Sequence, residues 1–155
     1  SIHIPAPKEN EIDDIVKEMD EIDGKSSAIT RKEQGYWRKK LFPKGTKKEN
    51  CAICNKEFMI NMLICGHIKK RSKCTYNEKK DFNNIAPMCK FGCDDLFEKG
   101  YISVIAGKVC FDKEQETTDA MLDYLIDIEG NTCNYWIEGK SKKYFEWHNE
   151  YHSNK

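Results

Sequence analysis

Two close pairs of cysteines constrain this chain more than any other feature of its sequence. Cys51 and Cys54 are separated by two residues, Cys89 and Cys93 by three, and 34 residues lie between the pairs. Such short spacings let a backbone turn present both sulfurs of a pair to one ion. Four thiolates complete the tetrahedral shell of zinc and leave no position for water. The spacing therefore predicts a structural zinc site that joins two distant parts of the chain.

The eight cysteines also leave alternatives open. They could form a disulfide framework, but such frameworks are typical of short secreted chains that are poor in core residues. This sequence has ample isoleucine, leucine, phenylalanine and tryptophan, so it does not need covalent cross-links. A third reading is that all the thiols are free. Cys65 and Cys74 are rival zinc ligands, yet their nine-residue separation fits a tight turn poorly, and we expect core or spare thiols there.

Length and hydropathy indicate a soluble protein inside the cell. A chain of 155 residues is long enough to bury one compact core. No apolar run approaches the ~20 residues that a membrane span requires. The N-terminus also lacks the basic-then-apolar pattern of a secretory signal. We therefore expect a cytoplasmic protein without a membrane partner.

Charge is segregated along the chain although the formal net charge is zero. Residues 8–23 carry eight acidic and two basic side chains, whereas residues 24–48 carry nine basic side chains and one acidic. A second basic block over residues 64–80 has six basic side chains against Glu78. Alternating charge runs are typical of solvated faces. Two basic blocks beside the cysteine-rich centre also favour a polyanion partner such as nucleic acid.

Hydrophobic periodicity predicts two helices before the first cysteine pair. Apolar residues recur at helical spacing over about 9–23, and Gly24 ends this predicted helix. A second helix is expected over about 27–41, with Tyr36 and Trp37 directed inward. Its basic residues are expected to face outward, namely Arg31, Lys32, Arg38, Lys39 and Lys40.

The segment after the second cysteine pair predicts a hairpin and two more helices. Residues 102–105 and 108–111 flank Ala106 and Gly107, which suggests a tight turn between two strands. A helix over about 118–128 is expected to bury one apolar face, made of Met121, Leu122, Leu125 and Ile126. The aromatic tail over about 142–151 is expected to form a helix that packs on the core through Tyr144, Phe145 and Trp147.

A histidine, an asparagine and two carboxylates occur among the cysteine pairs. His67 follows an apolar strand, Asn84 precedes another, and the second cysteine pair opens a helix with Asp94 and Asp95 in its first turn. A histidine can accept a proton from water near neutral pH. A carboxylate can hold a hard divalent cation, which binds a phosphate oxygen. The cations that follow the histidine suit phosphate contacts, and they are Lys69, Lys70 and Arg71.

These pieces occur in the order seen in one family of nucleases. The sequences CxxC, G-H-I-K, N-I-x-x-M-C, C-D-D-L-F-E-K-G and Y-I-S follow one another between about Lys48 and Phe111. This order resembles the HNH (ββα-metal) endonucleases, and most of all the branch found in restriction endonucleases. The basic segment over 31–41 weakly resembles the helix that precedes the motif in such enzymes. The resemblance implies an α+β fold with a zinc-stapled ββα-metal core, flanking helices and a C-terminal hairpin.

Carried over by position, the resemblance implies a role for each residue of the motif. His67 would be the general base that activates the attacking water, and Asn84 would brace the loop that holds it. Asp94 would bind the catalytic Mg²⁺ or Mn²⁺, with Asp95 as its competitor for that role. Contacts to DNA would be made by Lys69, Lys70, Arg71, Arg38 and Lys39.

The implied domain organisation has three parts. Residues 1–47 form a helical region for dimer or DNA contact, residues 48–112 form the nuclease core, and residues 113–155 form helices that pack on it. The sequence departs from the family pattern most clearly at Gly66, where many HNH enzymes have a carboxylate or second histidine as a metal ligand. The second ligand of the catalytic cation is therefore not apparent from the sequence.

The resemblance implies a metal-dependent endonuclease that hydrolyses phosphodiester bonds of double-stranded DNA in a restriction or defence system. One such site cuts one strand, so a double-strand cutter would act as a homodimer. Two alternatives stand beside this expectation. A non-catalytic zinc-stabilised DNA-binding module would keep the cysteines and the basic blocks, and a homing or mobile-element nuclease would share the chemistry but not the biological role.

Overall fold

The structure, a computed structural model, describes residues 10–21 and 27–154 as a mixed α/β fold. Its helices are α1 (Glu11–Glu21), α2 (Ser27–Leu41), α3 (Tyr76–Lys79), α4 (Cys93–Glu98), α5 (Asp119–Ile128) and α6 (Lys142–Ser153). Its strands are β1 (Lys48–Asn50), β2 (Glu57–Met59), β3 (Leu63–His67), β4 (Ile85–Cys89), β5 (Ser103–Ile105) and β6 (Lys108–Cys110). Within these residues the strands form three two-stranded antiparallel sheets, β1–β2, β3–β4 and β5–β6. No helix in the described part of the chain is long and apolar enough to cross a membrane.

Most predicted elements lie close to their expected positions. Helix α2 begins at Ser27 and ends at Leu41, as the periodicity predicts. The β5–β6 hairpin turns at Ala106 and Gly107, which have φ angles of 49° and 81°. Helix α1 extends to Glu21, and the predicted helix end at Gly24 falls outside the described residues. Helix α2 and the β5–β6 hairpin therefore follow local sequence signals.

The β3–β4 hairpin lies at the centre of the fold. In its antiparallel register Leu63 is opposite Cys89 and His67 is opposite Ile85. Strand β4 is buried along its whole length. Helix α2 packs against both strands, and α4 follows β4 directly and packs back against it. The hairpin thus packs against one helix that precedes it in the sequence, α2, and one that follows it, α4.

Helix α2 is joined to the free edge of β3 by side-chain hydrogen bonds. Arg38 donates to the carbonyls of Leu63 and Ile60 at 2.7 and 2.6 Å. Gln34 donates to the Cys65 carbonyl at 2.6 Å and accepts from the Cys65 amide at 3.3 Å. A two-stranded sheet leaves these backbone groups without strand partners, and burial makes unpaired groups costly. The outward position expected for Arg38 is therefore wrong, because its guanidinium donates to backbone carbonyls at the edge of β3. Its expected contact with DNA stays a prediction.

The apolar face predicted for α5 is only half correct. Leu125 is buried as expected, and Ile128 joins it, whereas Leu122 and Ile126 are 38% and 59% exposed. The helix is rotated relative to the expectation because Tyr124 packs against two of the paired cysteines. The buried face of α5 is therefore the one that contains Tyr124 and faces the cysteine cluster, and the aliphatic residues Leu122 and Ile126 lie outside it.

Helix α6 packs on the core through its aromatic residues. Tyr144 and Phe145 are buried as predicted, and Trp147 is half-buried. The sequence did not indicate His148, which is buried, stacks on Phe97 at 3.7 Å between ring centroids and contacts the Phe97 carbonyl at 2.6 Å. Because Phe97 belongs to α4, these contacts join the C-terminal helix to the helix that follows β4.

The two hydrogen bonds of Arg38 predict that this residue stabilises the folded protein. We expect Arg38→Ala to lower the free energy of unfolding by about 2–4 kcal/mol, because two partly buried carbonyls lose a charged donor. The matched variant Lys39→Ala, next in the chain but exposed, should change it by less than about 0.5 kcal/mol. Urea denaturation followed by tryptophan fluorescence measures both. Equal stability of the two variants would contradict the structural role of Arg38.

Candidate metal centre and active site

The four paired cysteines converge on one point. The Sγ atoms of Cys51, Cys54, Cys89 and Cys93 all lie within 4.8 Å of one another, and all four side chains are buried. The first pair lies in the turn between β1 and β2, and the second joins the end of β4 to the start of α4. In the described residues no other group of three or more histidine, cysteine or carboxylate side chains is gathered in this way. The predicted grouping of the cysteines is confirmed.

Hydrogen-bond donors surround the sulfurs of this cluster. The amides of Ile53 and Cys89 each donate to Cys51 Sγ at 3.4 Å. The Tyr124 hydroxyl lies 3.1 Å from Cys93 Sγ and 3.6 Å from Cys89 Sγ. Donors of this kind stabilise negative charge on sulfur, and outer partners of metal ligands typically do so.

The protonation of the cluster fits a divalent cation. Hydrogen bonding with Cys54 lowers the pKa of Cys51 to about 7, whereas hydrogen bonding with Cys51 raises the pKa of Cys93. Four sulfurs this close cannot all ionise without a compensating charge. A zinc ion supplies that charge and accepts four thiolates at tetrahedral positions. The donor set, its burial and its donors therefore fit a structural zinc ion.

The other cysteines lie outside the cluster. Burial raises the pKa of Cys65 to about 12, which keeps it a neutral core thiol. Cys74 is half-buried, donates to the carbonyls of Lys69 and Lys70, and accepts from the Asn84 amide at 3.4 Å. None of the eight cysteines, all of which lie in the described region, is in a disulfide. The alternative of a disulfide framework is thus not found, and Cys65 and Cys74 are not ligands of this cluster.

His67, the last residue of β3, is held by two neighbouring segments. Its Nε2 lies 2.9 Å from the Lys79 carbonyl and 3.6 Å from Glu33 Oε1. Because a carbonyl only accepts, this contact requires the proton on Nε2 and leaves the lone pair on Nδ1. Burial lowers the pKa of His67 below its usual value, so the ring is neutral near pH 7. The geometry therefore leaves Nδ1 as a nitrogen able to accept a proton.

Asn84 is buried beneath the loop that follows His67. Its Oδ1 accepts from the Lys69 amide at 2.9 Å, and its Nδ2 donates to the Glu78 carbonyl at 3.1 Å. Its own carbonyl accepts from the Ile68 amide at 2.8 Å. Asn84 thus joins the start of the loop to its far end, next to the Lys79 carbonyl that contacts His67. The bracing role that the resemblance implies for Asn84 stays a prediction.

Asp94 lies against the strand at the residue before His67. A Cβ built on Gly66 would be 3.6 Å from Asp94 Oδ1, so the carboxylate faces this part of β3 closely. Burial, and then the charges of Glu98 and Asp95, raise the pKa of Asp94 to about 6. A carboxylate that is partly desolvated among other negative charges favours a bound cation. The chemistry of Asp94 therefore fits a hard divalent cation.

His67 and Asp94 are brought to the same end of β3 but to different sides of it. Gly66 faces Asp94 on α4, whereas His67 contacts Glu33 on α2 and the carbonyl of Lys79. Successive residues of a strand point to opposite faces, which accounts for the separation. No hydrogen bond or ion pair between the two is found in the described residues. Asp94 therefore lies close to the strand residue before His67, without direct contact between the two side chains.

Asp94 and its neighbour Asp95 have different surroundings. The side chain of Asp95 is 79% exposed and lies 3.5 Å from the ammonium of Lys99. Glu98, one helical turn after Asp94, raises the pKa of Asp94 more than Asp95 does. Glu98 was not among the residues predicted from the sequence, although its spacing of four residues from Asp94 on a helix is a usable signal.

The basic residues expected on DNA differ in their surroundings. The Lys69 ammonium pairs with Glu78 at 2.9 Å, and Arg71 pairs with Glu33 at 3.0 Å. Lys70 and Lys39 are exposed. Glu33, which sequence reasoning assigned only as the one acidic residue of a basic block, is the unexpected member of the site. Only its tertiary neighbours distinguish it from an ordinary helical glutamate.

Comparison of the sequence with protein-family models and with curated proteins found no match. A functional proposal for this chain therefore rests on its own residues and their chemistry.

The cysteine cluster predicts that purified protein carries about one zinc ion per chain and unfolds when a strong chelator removes it. The reason is that the zinc ion compensates the negative charge of four buried thiolates. Without the ion these groups cannot all stay ionised so close together. Metal analysis and circular dichroism measure the two effects. We expect Cys89→Ser to lose both zinc and fold, while Cys65→Ala, which changes a buried cysteine outside the cluster, keeps its zinc. Folded wild-type protein without zinc would contradict this prediction.

The raised pKa of Asp94 predicts that, in the absence of magnesium, ionisation of this carboxyl lowers the stability of the folded protein. The folded state holds this proton up to about pH 6, whereas the unfolded state releases it near 3.8. Stability from this group therefore falls as the pH rises from about 4 to 6 and stays reduced above that. Allowing for solvent screening at a half-buried site, we expect Asp94→Asn to gain about 1 kcal/mol at pH 8 and nothing at pH 3.5.

Asp95→Asn is the matched control for this measurement, because the neighbouring carboxylate is exposed. It should reduce the difference between the two pH values only slightly, because the charge of Asp95 raises the pKa of Asp94 less than burial does. Added Mg²⁺ should stabilise the wild-type protein at pH 8 more than Asp94→Asn, since a cation offsets the same charge. Equal magnesium responses in all three proteins would argue against a cation at Asp94.

Proposed function

We propose that this chain is an HNH (ββα-metal) endonuclease that hydrolyses phosphodiester bonds of double-stranded DNA in a restriction or defence system. The order of β3, β4 and α4 supports the proposal, because an antiparallel hairpin followed directly by a helix is the frame that the ββα name describes. The cysteine pairs hold this frame at its base. The region over residues 48–112 would be the nuclease core.

One observation carries the proposal. The helix carboxylate of Asp94 faces β3 at Gly66, 3.6 Å from the position of a Cβ there, and the next residue of the strand is His67. A candidate cation ligand on α4 thus faces the strand residue that directly precedes the candidate base. Asn84 braces the loop beside them. A zinc module without a reaction to perform has no need for this combination.

The proposed chemistry uses His67 as the general base. Its Nδ1 would take a proton from a water molecule, and the resulting hydroxide would attack phosphorus. The bond from phosphorus to the leaving sugar oxygen would then break, and that oxygen would take the bonding electrons and a proton from solvent. The Lys79 carbonyl holds the ring in the tautomer that this step requires.

Asp94 would hold the catalytic Mg²⁺ or Mn²⁺, and Glu98, one helical turn later, would be the candidate for a second oxygen ligand. When bound, such a cation stabilises negative charge on the phosphate and the leaving oxygen. Gly66 provides no side chain to this site, so water and substrate oxygens would complete the shell. Exposed Lys70 and Lys39 would contact the DNA backbone. Cutting both strands would require two chains, and we propose a homodimer for that reason.

A second candidate function is a zinc-stabilised DNA-binding module without catalysis. Two observations favour it. The side chain of His67 is only 9% exposed, and Asp94 belongs to no cluster of three metal-binding groups in the described residues. This candidate would keep the cysteine cluster and the exposed lysines. It differs from the first in predicting DNA binding without cleavage.

Cleavage of supercoiled plasmid with and without Mg²⁺ or Mn²⁺ tests the proposal. We expect cation-dependent nicking or linearisation, reduced at least about 100-fold in His67→Ala and in Asp94→Ala, because each removes a group used in the bond-breaking step. Asp95→Ala is the matched control and should cut within about threefold of wild type. All variants should retain zinc and bind DNA.

Two outcomes would contradict this proposal in whole or in part. Cleavage by His67→Ala at the wild-type rate would show that the assigned base is wrong. DNA binding without cleavage under either cation would favour the binding module.

A further inference from the structure

Glu33 is a buried carboxylate in contact with the candidate base. It is 4% exposed, although it lies on a helix whose other charged residues reach solvent or backbone carbonyls. Its oxygens accept from Arg71 Nε at 3.0 and 3.2 Å and from Trp37 Nε1 at 3.4 Å. The same Oε1 lies 3.6 Å from His67 Nε2. Two donors and the Nε2 side of the His67 ring thus converge on one carboxylate beneath the end of β3.

A carboxylate is costly to bury, and its position here is not explained by packing alone. Burial is tolerated when the charge is paired, as it is with Arg71. An arginine pair by itself could form at the surface, because Arg71 is still 26% exposed. What the buried position adds is contact with the ring nitrogen of His67 that carries the proton.

The charge of Glu33 has a direct effect on His67. It favours the protonated ring, whereas burial and the charge of Arg71 oppose it. A base that takes a proton from water becomes an imidazolium ion, which this buried position would otherwise destabilise. A carboxylate beside the distal nitrogen stabilises that ion and fixes the ring orientation, as in other histidine–carboxylate pairs.

We propose that Glu33 is a positioning residue for His67, a role that rests on the nuclease function proposed above. Glu33 holds the Nε2 side of the ring together with the Lys79 carbonyl, so that Nδ1 carries the lone pair. When Nδ1 takes a proton from water, the hydroxide bonds to phosphorus and the leaving oxygen departs with its electrons. The positive ring then lies beside the carboxylate of Glu33 until its proton returns to solvent. Arg71 keeps the carboxylate in place through two hydrogen bonds.

The test compares Glu33→Gln with wild type and with Asp127→Asn, which neutralises the carboxylate of an ion pair with Lys56 on the zinc side of the molecule. Glutamine keeps the size of Glu33 and one acceptor for Arg71. We expect Glu33→Gln to fold, keep its zinc and lower kcat for plasmid nicking about 10- to 100-fold, with KM within about twofold of wild type. Asp127→Asn should change neither constant.

A second readout does not depend on cleavage. Nitrogen-15 NMR of the His67 ring, assigned with His67→Ala, reports which nitrogen carries the proton. We expect the proton on Nε2 in the wild type, and altered ring shifts in Glu33→Gln but not in Asp127→Asn. This signature would not move if Glu33 only supported the fold.

The outcomes separate the two proposals. Wild-type kcat in Glu33→Gln, with no cleavage by His67→Ala, would overturn the role of Glu33 and leave the nuclease function standing. A raised KM with unchanged kcat would also overturn it, because the loss would then lie in substrate binding through Arg71. If the wild type cuts no DNA, the nuclease function fails, and the ring signals decide about Glu33. Unchanged ring shifts in Glu33→Gln would then overturn its contact with His67.

Discussion

The convergence of four cysteines is the constraint on which the rest of the structure depends. It ties the turn between β1 and β2 to the junction of β4 and α4, and the Ala52 amide reinforces the link by donating to the Pro87 carbonyl at 2.8 Å. Because Cys93 is both a member of the cluster and the first residue of α4, the cluster sets where that helix begins. Asp94 is the next residue, so the same constraint directs the candidate cation ligand toward β3.

Helix α2 contributes to the fold and to the candidate site through one face. Gln34 and Arg38 satisfy the free edge of β3, and Glu33 reaches the ring of His67 at the end of that strand. Gln34 and Arg38 are four positions apart and lie on the same side of the helix, and Glu33 lies on the row beside them. The helix that stabilises the hairpin thus also defines the surroundings of the proposed base. Changes in its position would affect both.

Local sequence signals predicted much of the architecture because their physical basis is local. The periodicity of α2, the turn at Ala106 and Gly107 and the short spacing of each cysteine pair depend on neighbouring residues only. Strands β1 and β2 were not predicted because three residues are too few to show alternation. The inner face of α5 was predicted only in part, since its rotation depends on Tyr124 meeting sulfurs that lie more than 30 residues earlier in the chain.

The sequence by itself determined which chemical groups are present and in what order: two cysteine pairs, a histidine after an apolar strand, an asparagine before the next, and a carboxylate opening a helix. Only the tertiary structure decided how these groups are used. It placed Asp94 and His67 on different sides of β3, exposed Asp95, turned Arg38 inward and buried Glu33 beside His67. The reason is that exposure and charge pairing depend on residues that packing brings together from distant parts of the chain. The spacing of residues within one segment does not reveal them.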